Sequence, residues 1–288
     1  MDAIEASGPN AEQIRYWGEV SGPKWVRLGD RIDRQIEPLG REAMDTAKIE
    51  PSERVIDVGC GCGQTTVELA RRVGPGGHVL GVDISSPMLA DAQRRLEEAA
   101  LAQAGVRLAD AQTAELPEAD LVFSRFGVMF FADPVAAFAN LRRALRPGGR
   151  LVFLCWQDPA KNPWIQVPTA AAATHVAAPE KPPAPGSPGP FAFADADRLR
   201  GILERAGFAS IEIESLERAV DVAGGESLDE TVEFLTQMGP TAGLLREADE
   251  GTREAAKQSV RDALRPFRDD AGRIELGSAC WLVQARPI

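Results

Sequence analysis

The feature that most constrains the fold is a short apolar run that leads directly into a turn with a glycine at every second position. Residues 54–58 have the sequence RVIDV, and residues 59–63 have the sequence GCGCG. Glycine adopts positive φ angles and lets the main chain approach a ligand closely. Such a turn after a first strand is typical of an open α/β sheet that binds a ligand at the carboxyl ends of its strands.

Short apolar runs alternate with helical patterns between Glu53 and Phe153, which predicts a parallel sheet with crossover helices. Five strands are predicted in this region, over residues 54–58, 78–83, 106–110, 119–124 and 150–155, with helices over residues 64–73, 87–104 and 134–145. Farther along, the pattern predicts a helix over residues 196–206, a strand over residues 211–216 and a last strand supplied by residues 273–276 and 280–283.

The segments left over from the sheet predict a helical cap over its open end. The predicted organisation is an N-terminal helical cap segment (residues 1–47), a ligand-binding core (48–158), a proline-rich loop or lid (159–194), the remainder of the core sheet (195–222 and 272–288) and a helical cap insertion (223–271). The loop assignment depends on the stretch from Ala177 to Pro190, whose prolines are unsuited to regular structure.

Charge and cysteine content exclude several classes of protein. The 32 basic and 43 acidic residues give a formal net charge of -11, so nucleic acid and anionic lipid are repelled on average. We see no signal peptide and no membrane span, and we expect a cytoplasmic protein. The four cysteines predict free thiols, and Cys60 and Cys62 lack the further Cys or His ligands that a zinc site needs.

Three carboxylates follow the first three predicted strands. Asp83 stands where open α/β sheets place the acid that accepts both ribose hydroxyls of an adenosine. Asp110 can accept from the adenine amine while the Ala111 N–H meets a ring nitrogen, although an aspartate there is often only the cap of a turn. Asp57 precedes the glycines and suits a ligand with a cationic ammonium at that end, whereas Gln64 stands where the dinucleotide fingerprint requires its third glycine.

With these residues considered together, the chain resembles the class I S-adenosylmethionine-dependent methyltransferases, most closely the subgroup of ubiquinone and menaquinone biosynthesis. The resemblance covers roughly Glu53 to Trp156 and depends on residues 55–65, 81–85, 109–111, 123–130 and 145–151. It implies an α/β fold with a Rossmann-like, seven-stranded, mostly parallel sheet. The last strand would be antiparallel, with helices on both faces and the helical cap above.

The resemblance also implies that S-adenosyl-L-methionine is the cofactor. Asp57 and the turn would hold its methionine end, Asp83 its ribose, and Asp110 with Ala111 its adenine, and Ser124 would face the sulfonium. The predicted cofactor-binding residues are Asp57, Gly59, Cys60, Gly61, Gly63, Thr65, Asp83, Ile84, Met88, Asp110, Ala111 and Ser124.

The expected reaction is methyl transfer to a small, apolar molecule by in-line displacement. Such a reaction needs no dedicated base unless the acceptor has a proton to lose. The catalytic candidates are His175, which is otherwise a surface or capping histidine beside Thr174, and Tyr16, the only tyrosine. Aromatic residues outside the sheet either enclose the acceptor or pack the cap onto the core.

Other functions are kept as alternatives. A nicotinamide-dependent oxidoreductase is disfavoured by Asp57 and by the missing third glycine. An inactive, donor-binding subunit would have a blocked or absent acceptor cavity beside Ser124. The other alternative is a methyltransferase acting on a macromolecule, protein or RNA, and an RNA acceptor would require a basic cleft. The sequence leaves open the acceptor, the atom methylated and the oligomeric state, and it predicts no metal site.

Overall fold

A computed structural model describes residues 4–176, 184 and 186–288 of the chain. Its centre is a seven-stranded sheet in the order β3-β2-β1-β4-β5-β7-β6. The strands are Arg54–Val58 (β1), His78–Asp83 (β2), Ala104–Leu108 (β3), Ala119–Arg125 (β4), Leu145–Trp156 (β5), Phe208–Asp221 (β6) and Glu275–Pro287 (β7). The first five strands pair in parallel, and β7 is antiparallel to both β5 and β6. The predicted fold class is confirmed.

The helices surround the sheet and form the cap. They are Ala11–Arg15 (α1), Gly22–Thr46 (α2), Gln64–Val73 (α3), Ser86–Glu98 (α4), Pro134–Ala144 (α5), Pro163–Ala173 (α6), Ala196–Arg205 (α7), Leu228–Gln237 (α8), Gly239–Leu244 (α9) and Glu250–Leu264 (α10). A π-helical turn, Tyr16–Ser21, joins α1 to α2. No helix in the described part of the chain is both long enough and apolar enough to span a membrane.

The helix after β2 and the third strand differ from their predicted positions. The helix was expected to continue to residue 104, but α4 ends at Glu98, and Ala100 adopts a left-handed conformation with φ 52°. Strand β3 therefore begins at Ala104 and ends at Leu108, where it pairs with Asp83. Asp110 consequently lies two residues beyond the strand, in the turn at the edge of the sheet.

The last two strands are longer than the predicted ones. Their ladder runs from the pair Phe208 and Pro287 to the pair Asp221 and Glu275, with one irregularity. Within the described residues, β6 has one neighbouring strand, and most of its residues are at least partly exposed. An edge strand has few buried positions, so the apolar alternation that reveals a strand from sequence is weak over most of its length.

The segment predicted as a loop or lid over residues 159–194 contains helix α6, so that assignment was wrong for Pro163–Ala173. Pro163 occupies the first helical turn, where a missing N–H costs nothing, and this explains how a proline-rich sequence begins a helix. Residues 177–183 and 185 of the predicted lid lie outside the described residues. The other predicted domain boundaries stay predictions.

Helix α2 brings the N-terminal segment and the insertion together above the sheet. Its buried side chains include Ile32, Ile36 and Leu39, which join the main hydrophobic core. Arg34 Nε donates to the Gly224 carbonyl at 3.0 Å, just before α8. The two cap segments therefore meet over the carboxyl ends of the central strands, where the ligand crevice of an open α/β sheet lies.

Candidate active site

A cavity of about 230 Å³ lies between the cap and the carboxyl ends of the strands. Its sheet side consists of the glycine turn and the residues that follow β2, β3 and β4. Its cap side comes from α2, α6, α8 and α9. Of the predicted cofactor-binding residues, nine line this cavity: Gly59, Cys60, Gly61, Thr65, Asp83, Ile84, Met88, Asp110 and Ala111.

Packing makes glycine necessary in the turn after β1. Gly59 has φ 68°, and a Cβ atom there would lie 2.6 Å from the Gly127 Cα atom. Gly63 has φ 85°, and a Cβ atom there would lie 2.7 Å from the Ala92 side chain. Neither clash can be relieved by rotating a flexible side chain. The turn therefore presents bare main chain to the cavity at Gly59 and Gly61.

The Asp83 carboxylate is held at the cavity wall by main-chain N–H groups. Gly61 N donates to Oδ2 at 2.9 Å, and Ser85 N donates to Oδ1 at 2.9 Å. Burial raises the pKa of Asp83, and the N–H donors oppose that rise. The acid thus links the glycine turn to the end of β2 in a fixed orientation.

Asp110 both caps a turn and lines the cavity. Its Oδ1 accepts from Gln112 N at 2.9 Å and from Asn10 Nδ2 at 2.9 Å. The two roles that the sequence left as alternatives are therefore compatible, because Oδ2 remains for another donor. Asn10 was missed by sequence reasoning, since 100 residues separate it from Asp110.

Asp57 lies beneath the glycine turn and does not line the cavity. The hydroxyls of Thr65 and Thr66 both donate to its Oδ2 at 2.7 Å, which anchors the start of α3. Its Oδ1 is buried and has no partner among the described residues. Burial raises the pKa of Asp57 to about 6, although the two hydroxyls and Arg125 favour the ionised form.

Gly63 and Ser124 also lie outside the cavity lining. The Ser124 hydroxyl is buried, donates to the Val58 carbonyl at 2.7 Å and accepts from Gly127 N at 3.2 Å. It therefore links the turn after β1 to the loop after β4, which pack against each other at Gly59 and Gly127. Its predicted place facing a sulfonium stays a prediction.

Neither catalytic candidate from the sequence is at the cavity. His175 is exposed, and its Nε2 is hydrogen-bonded to the Ser259 hydroxyl at 2.7 Å. Tyr16 is 38% exposed, and its ring forms a T-shaped pair, 5.7 Å between centroids, with that of Trp17, which does line the cavity. In the part of the chain that the structure describes, no residue that lines the cavity is His, Tyr, Lys or Glu.

The four cysteines are free and buried, as expected. Cys60 and Cys62 contribute to the cavity wall. Burial raises the pKa of the Cys62 thiol to about 12 and raises that of Cys60 as well. Thiolates are the reactive form of cysteine, so these side chains act as packing groups at neutral pH.

A charged network beside the turn was not anticipated. Asp33 on α2 pairs with Arg125 at 3.0 Å and with Arg95 at 2.8 Å, and Arg125 Nη1 donates to Gln64 Oε1 at 2.6 Å. The Arg125 side chain is only 8% exposed. Its partners are far from it in sequence, so no local pattern could have indicated the network.

The remaining wall of the cavity is aromatic. Phe126 stacks on Trp156 with 4.0 Å between the ring centroids, and Trp164 lies 5.2 Å from Trp156. Phe126 has φ 62°, a strained conformation for a bulky residue. The cavity therefore joins a polar half, with Asp83 and Asp110, to an apolar half beneath the cap.

Comparison with known proteins shows what the chain is similar to. A family profile described as "Methyltransferase domain" matches residues 55–149. Aklanonic acid methyltransferase DauC of Streptomyces sp. (strain C5) is 36% identical over 144 residues, which cover 49% of this chain and 64% of that protein. Nocamycin O-methyltransferase of Saccharothrix syringae is 34% identical over 186 residues, which cover 59% of this chain and 66% of that protein. The chain thus spans just under two thirds of the length of these relatives.

Demethylmenaquinone methyltransferases of several bacteria are also among the relatives, in agreement with the subgroup expected from the sequence. Among solved structures, the YcgJ protein of Bacillus subtilis has a TM-score of 0.55 at 15% identity. The match covers 85% of this chain and 96% of that one. At such low identity, this likeness concerns the fold alone.

Proposed function

We propose that the protein transfers a methyl group from S-adenosylmethionine to a small molecule, because residues 55–149 match a methyltransferase-domain profile and the sheet has the strand order of the class I fold. The observation that carries the proposal is the arrangement of one cavity. Bare main chain at Gly59 and Gly61 and two oriented carboxylates, Asp83 and Asp110, line the same wall.

The donor half of the cavity fits the polar groups of S-adenosylmethionine. Asp83 would accept from the two ribose hydroxyls, and Asp110 Oδ2 would accept from the adenine amine. The main chain of the turn would lie against the methionine part. Asp57 would act indirectly, because it supports the turn through Thr65 and Thr66.

The chemical step would be an in-line displacement. A lone pair of the acceptor attacks the methyl carbon, the bond from that carbon to sulfur breaks, and its electron pair stays on sulfur as S-adenosylhomocysteine. The positive charge of the sulfonium disappears in this step, so a cavity that excludes water favours it. A neutral acceptor whose attacking atom carries hydrogen also releases a proton, whereas an anionic acceptor does not. Alignment of the two reactants alone can lower the activation free energy by up to about 7–11 kcal/mol.

A small acceptor is supported by the cap. The apolar half of the cavity lies beneath α2, α6, α8 and α9, which leaves the reacting groups covered. The relatives named above are methyltransferases of aklanonic acid and of nocamycin. An inactive donor-binding subunit is less well supported, because the cavity continues past Phe126 to Trp164 and is not blocked there.

The test has two stages. First, calorimetric titration of the purified protein with S-adenosylhomocysteine and with NAD compares the two cofactor classes, and only the first is expected to bind in the micromolar range. Second, S-adenosylmethionine is incubated with panels of small acids, phenols and amines, and released S-adenosylhomocysteine is quantified. Failure to bind S-adenosylhomocysteine contradicts the proposal, and binding without turnover over a broad panel favours the inactive subunit.

A further inference from the structure

The side chain of Gln35 on α2 is buried at the cavity, with only 3% of its surface exposed. Its Oε1 accepts from the Ala223 N–H at 2.9 Å. A main-chain N–H can only donate, so it must face the oxygen of the amide and not the nitrogen. This bond fixes the orientation of the amide and leaves Nε2 as a donor. Nε2 makes no hydrogen bond to the described residues and is not one of their fully buried unpartnered atoms, so it is accessible from the cavity that Gln35 lines.

Gln35 belongs to the half of the cavity opposite the adenosine acids. Its partner Ala223 lies directly after β6, whereas Asp110 follows β3. Strands β3 and β6 are the two opposite edges of the sheet. Helix α8, which follows the Ala223 turn, contributes Phe234 and Leu235 to the same cavity.

The surroundings of Gln35 are apolar and aromatic. Trp156, Trp164, Ile36 and Phe234 line this half of the cavity. A ligand oxygen that accepts from this amide gains a hydrogen bond that the apolar walls around it cannot provide. The indole N–H of Trp164 is buried here without a partner among the described residues, so this half of the cavity presents two donors among apolar walls. A few polar groups among apolar walls are the usual composition of a small-molecule site.

We propose that Gln35 determines acceptor specificity, and that its Nε2 donates to an oxygen atom on a flat, apolar ring bound between α2 and the Trp156–Trp164 wall. The ligand class is therefore a ring compound that carries a carbonyl or an ionised hydroxyl group. This proposal rests on the proposed function, because it assigns the acceptor half of that same cavity. Gln35 is a binding residue and takes no proton in the reaction.

The test uses two probes of nearly equal shape, 1-indanone and indane, which differ in one carbonyl oxygen. Each is titrated by calorimetry into the whole 288-residue chain saturated with S-adenosylhomocysteine. One hydrogen bond predicts that the wild type binds the ketone about fivefold to tenfold more tightly than the hydrocarbon. Equal affinities, or no binding of the ketone at 1 mM, overturn the proposal.

Variants of Gln35 show whether the preference comes from this residue. Gln35→Glu keeps an oxygen for the Ala223 N–H and replaces the donor with an acceptor, so the ketone preference is expected to vanish. Gln35→Leu removes both groups and should abolish the preference as well, which provides a second test if the buried carboxylate impairs folding. Gln166→Glu, at an exposed position of α6, is the matched control and should keep the preference.

The affinity for S-adenosylhomocysteine separates the two proposals. It should be unchanged in Gln35→Glu if the residue belongs to the acceptor half. A loss of more than tenfold in that affinity would place Gln35 at the donor and overturn this inference. Failure of the wild type to bind S-adenosylhomocysteine would instead contradict the proposed function itself. A ketone preference that survives in both Gln35 variants overturns the inference and leaves the proposed function standing.

Discussion

Asn10 joins the first residues of the cap to the acid at the edge of the sheet, since its Nδ2 donates to Asp110 Oδ1 at 2.9 Å. Its own Oδ1 accepts from Ala132 N at 2.8 Å. One buried amide therefore contacts the turns that follow β3 and β4 at once. In doing so it closes the cavity and leaves Asp110 Oδ2 for a ligand.

Replacing Asn10 with alanine should weaken the attachment of the N-terminal segment to the turns after β3 and β4. The variant loses two hydrogen bonds and leaves the Ala132 N–H without its partner. This should lower the free energy of unfolding by about 1–3 kcal/mol. We expect about fivefold to tenfold weaker binding of S-adenosylhomocysteine by calorimetry and faster proteolysis before α2. Glu12→Ala, at an exposed position two residues away, is the control and should match the wild type. Unchanged binding in Asn10→Ala would show that the contact does not orient Asp110 for the donor.

Replacing Asp83 with alanine should weaken donor binding most. Hydrogen bonds to a charged group are worth about 1.5–3 kcal/mol, so the dissociation constant for S-adenosylhomocysteine should rise about tenfold to a hundredfold. The control is Glu115→Ala, which removes an exposed carboxylate from the loop after β3. Near-wild-type affinity in Asp83→Ala would refute the assignment of the ribose to β2.

Asp57 should make stability depend on pH. Its pKa in the fold is about 6, above the ordinary 3.8, so the native state binds the proton more tightly than the unfolded chain does. The stability that protonation provides is therefore present below about pH 4 and is lost as the pH rises to about 6. Between pH 5 and pH 7 the loss is about 1 kcal/mol by linkage.

Urea unfolding of the wild type and of Asp57→Asn at several pH values measures this loss. The stability of the wild type relative to the variant should decrease between pH 5 and pH 7 and stay level above that range. Asp197→Asn, which removes an exposed carboxylate on α7, is the matched control. A difference that increases with pH would mean that Asp57 is stabilised as the anion, contrary to its burial.

The pair of Asp33 and Arg125 should be energetically coupled. Both side chains are at least 85% buried, and removal of one charge leaves the other in a poorly solvated place. A double-mutant cycle with Asp33→Asn and Arg125→Met should give a coupling of about 1–3 kcal/mol in urea unfolding. The exposed pair of Glu37 and Arg41 on the same helix is the control and should give about 0.5 kcal/mol or less. Equal coupling energies in the two pairs would mean that burial does not strengthen the interaction between Asp33 and Arg125.

Local sequence patterns were sufficient to predict an element where the contacts that decide its bounds are close in sequence. Strands β1 and β2 and helix α3 have the predicted bounds, because buried parallel strands are continuous apolar runs and the helix begins after a glycine. The predicted acids Asp83 and Asp110 reach one cavity because the carboxyl ends of parallel strands meet at one edge of the sheet.

Patterns failed where distant contacts decide the outcome. Helix α6 forms from a proline-containing segment because it packs against α9 and α10. The Asp57 side chain accepts from Thr65 and Thr66, the Ser124 side chain donates to the Val58 carbonyl, and neither lines the cavity, so their predicted contact with the cofactor stays a prediction. Residue type and position along a strand do not specify which groups such a side chain contacts.

The sequence by itself determined the alternation of strands and helices, the glycine turn and the acids that follow the strands, since periodicity and turn geometry are local properties of the chain. The number of strands, seven, was implied by the family resemblance. Only the tertiary structure decided which groups complete the cavity. Asn10, Asp33 and Gln35 find their partners Asp110, Arg125 and Ala223 at separations of about 90 to 190 residues. The packing of the cap on the sheet creates these contacts, and no local sequence pattern encodes them.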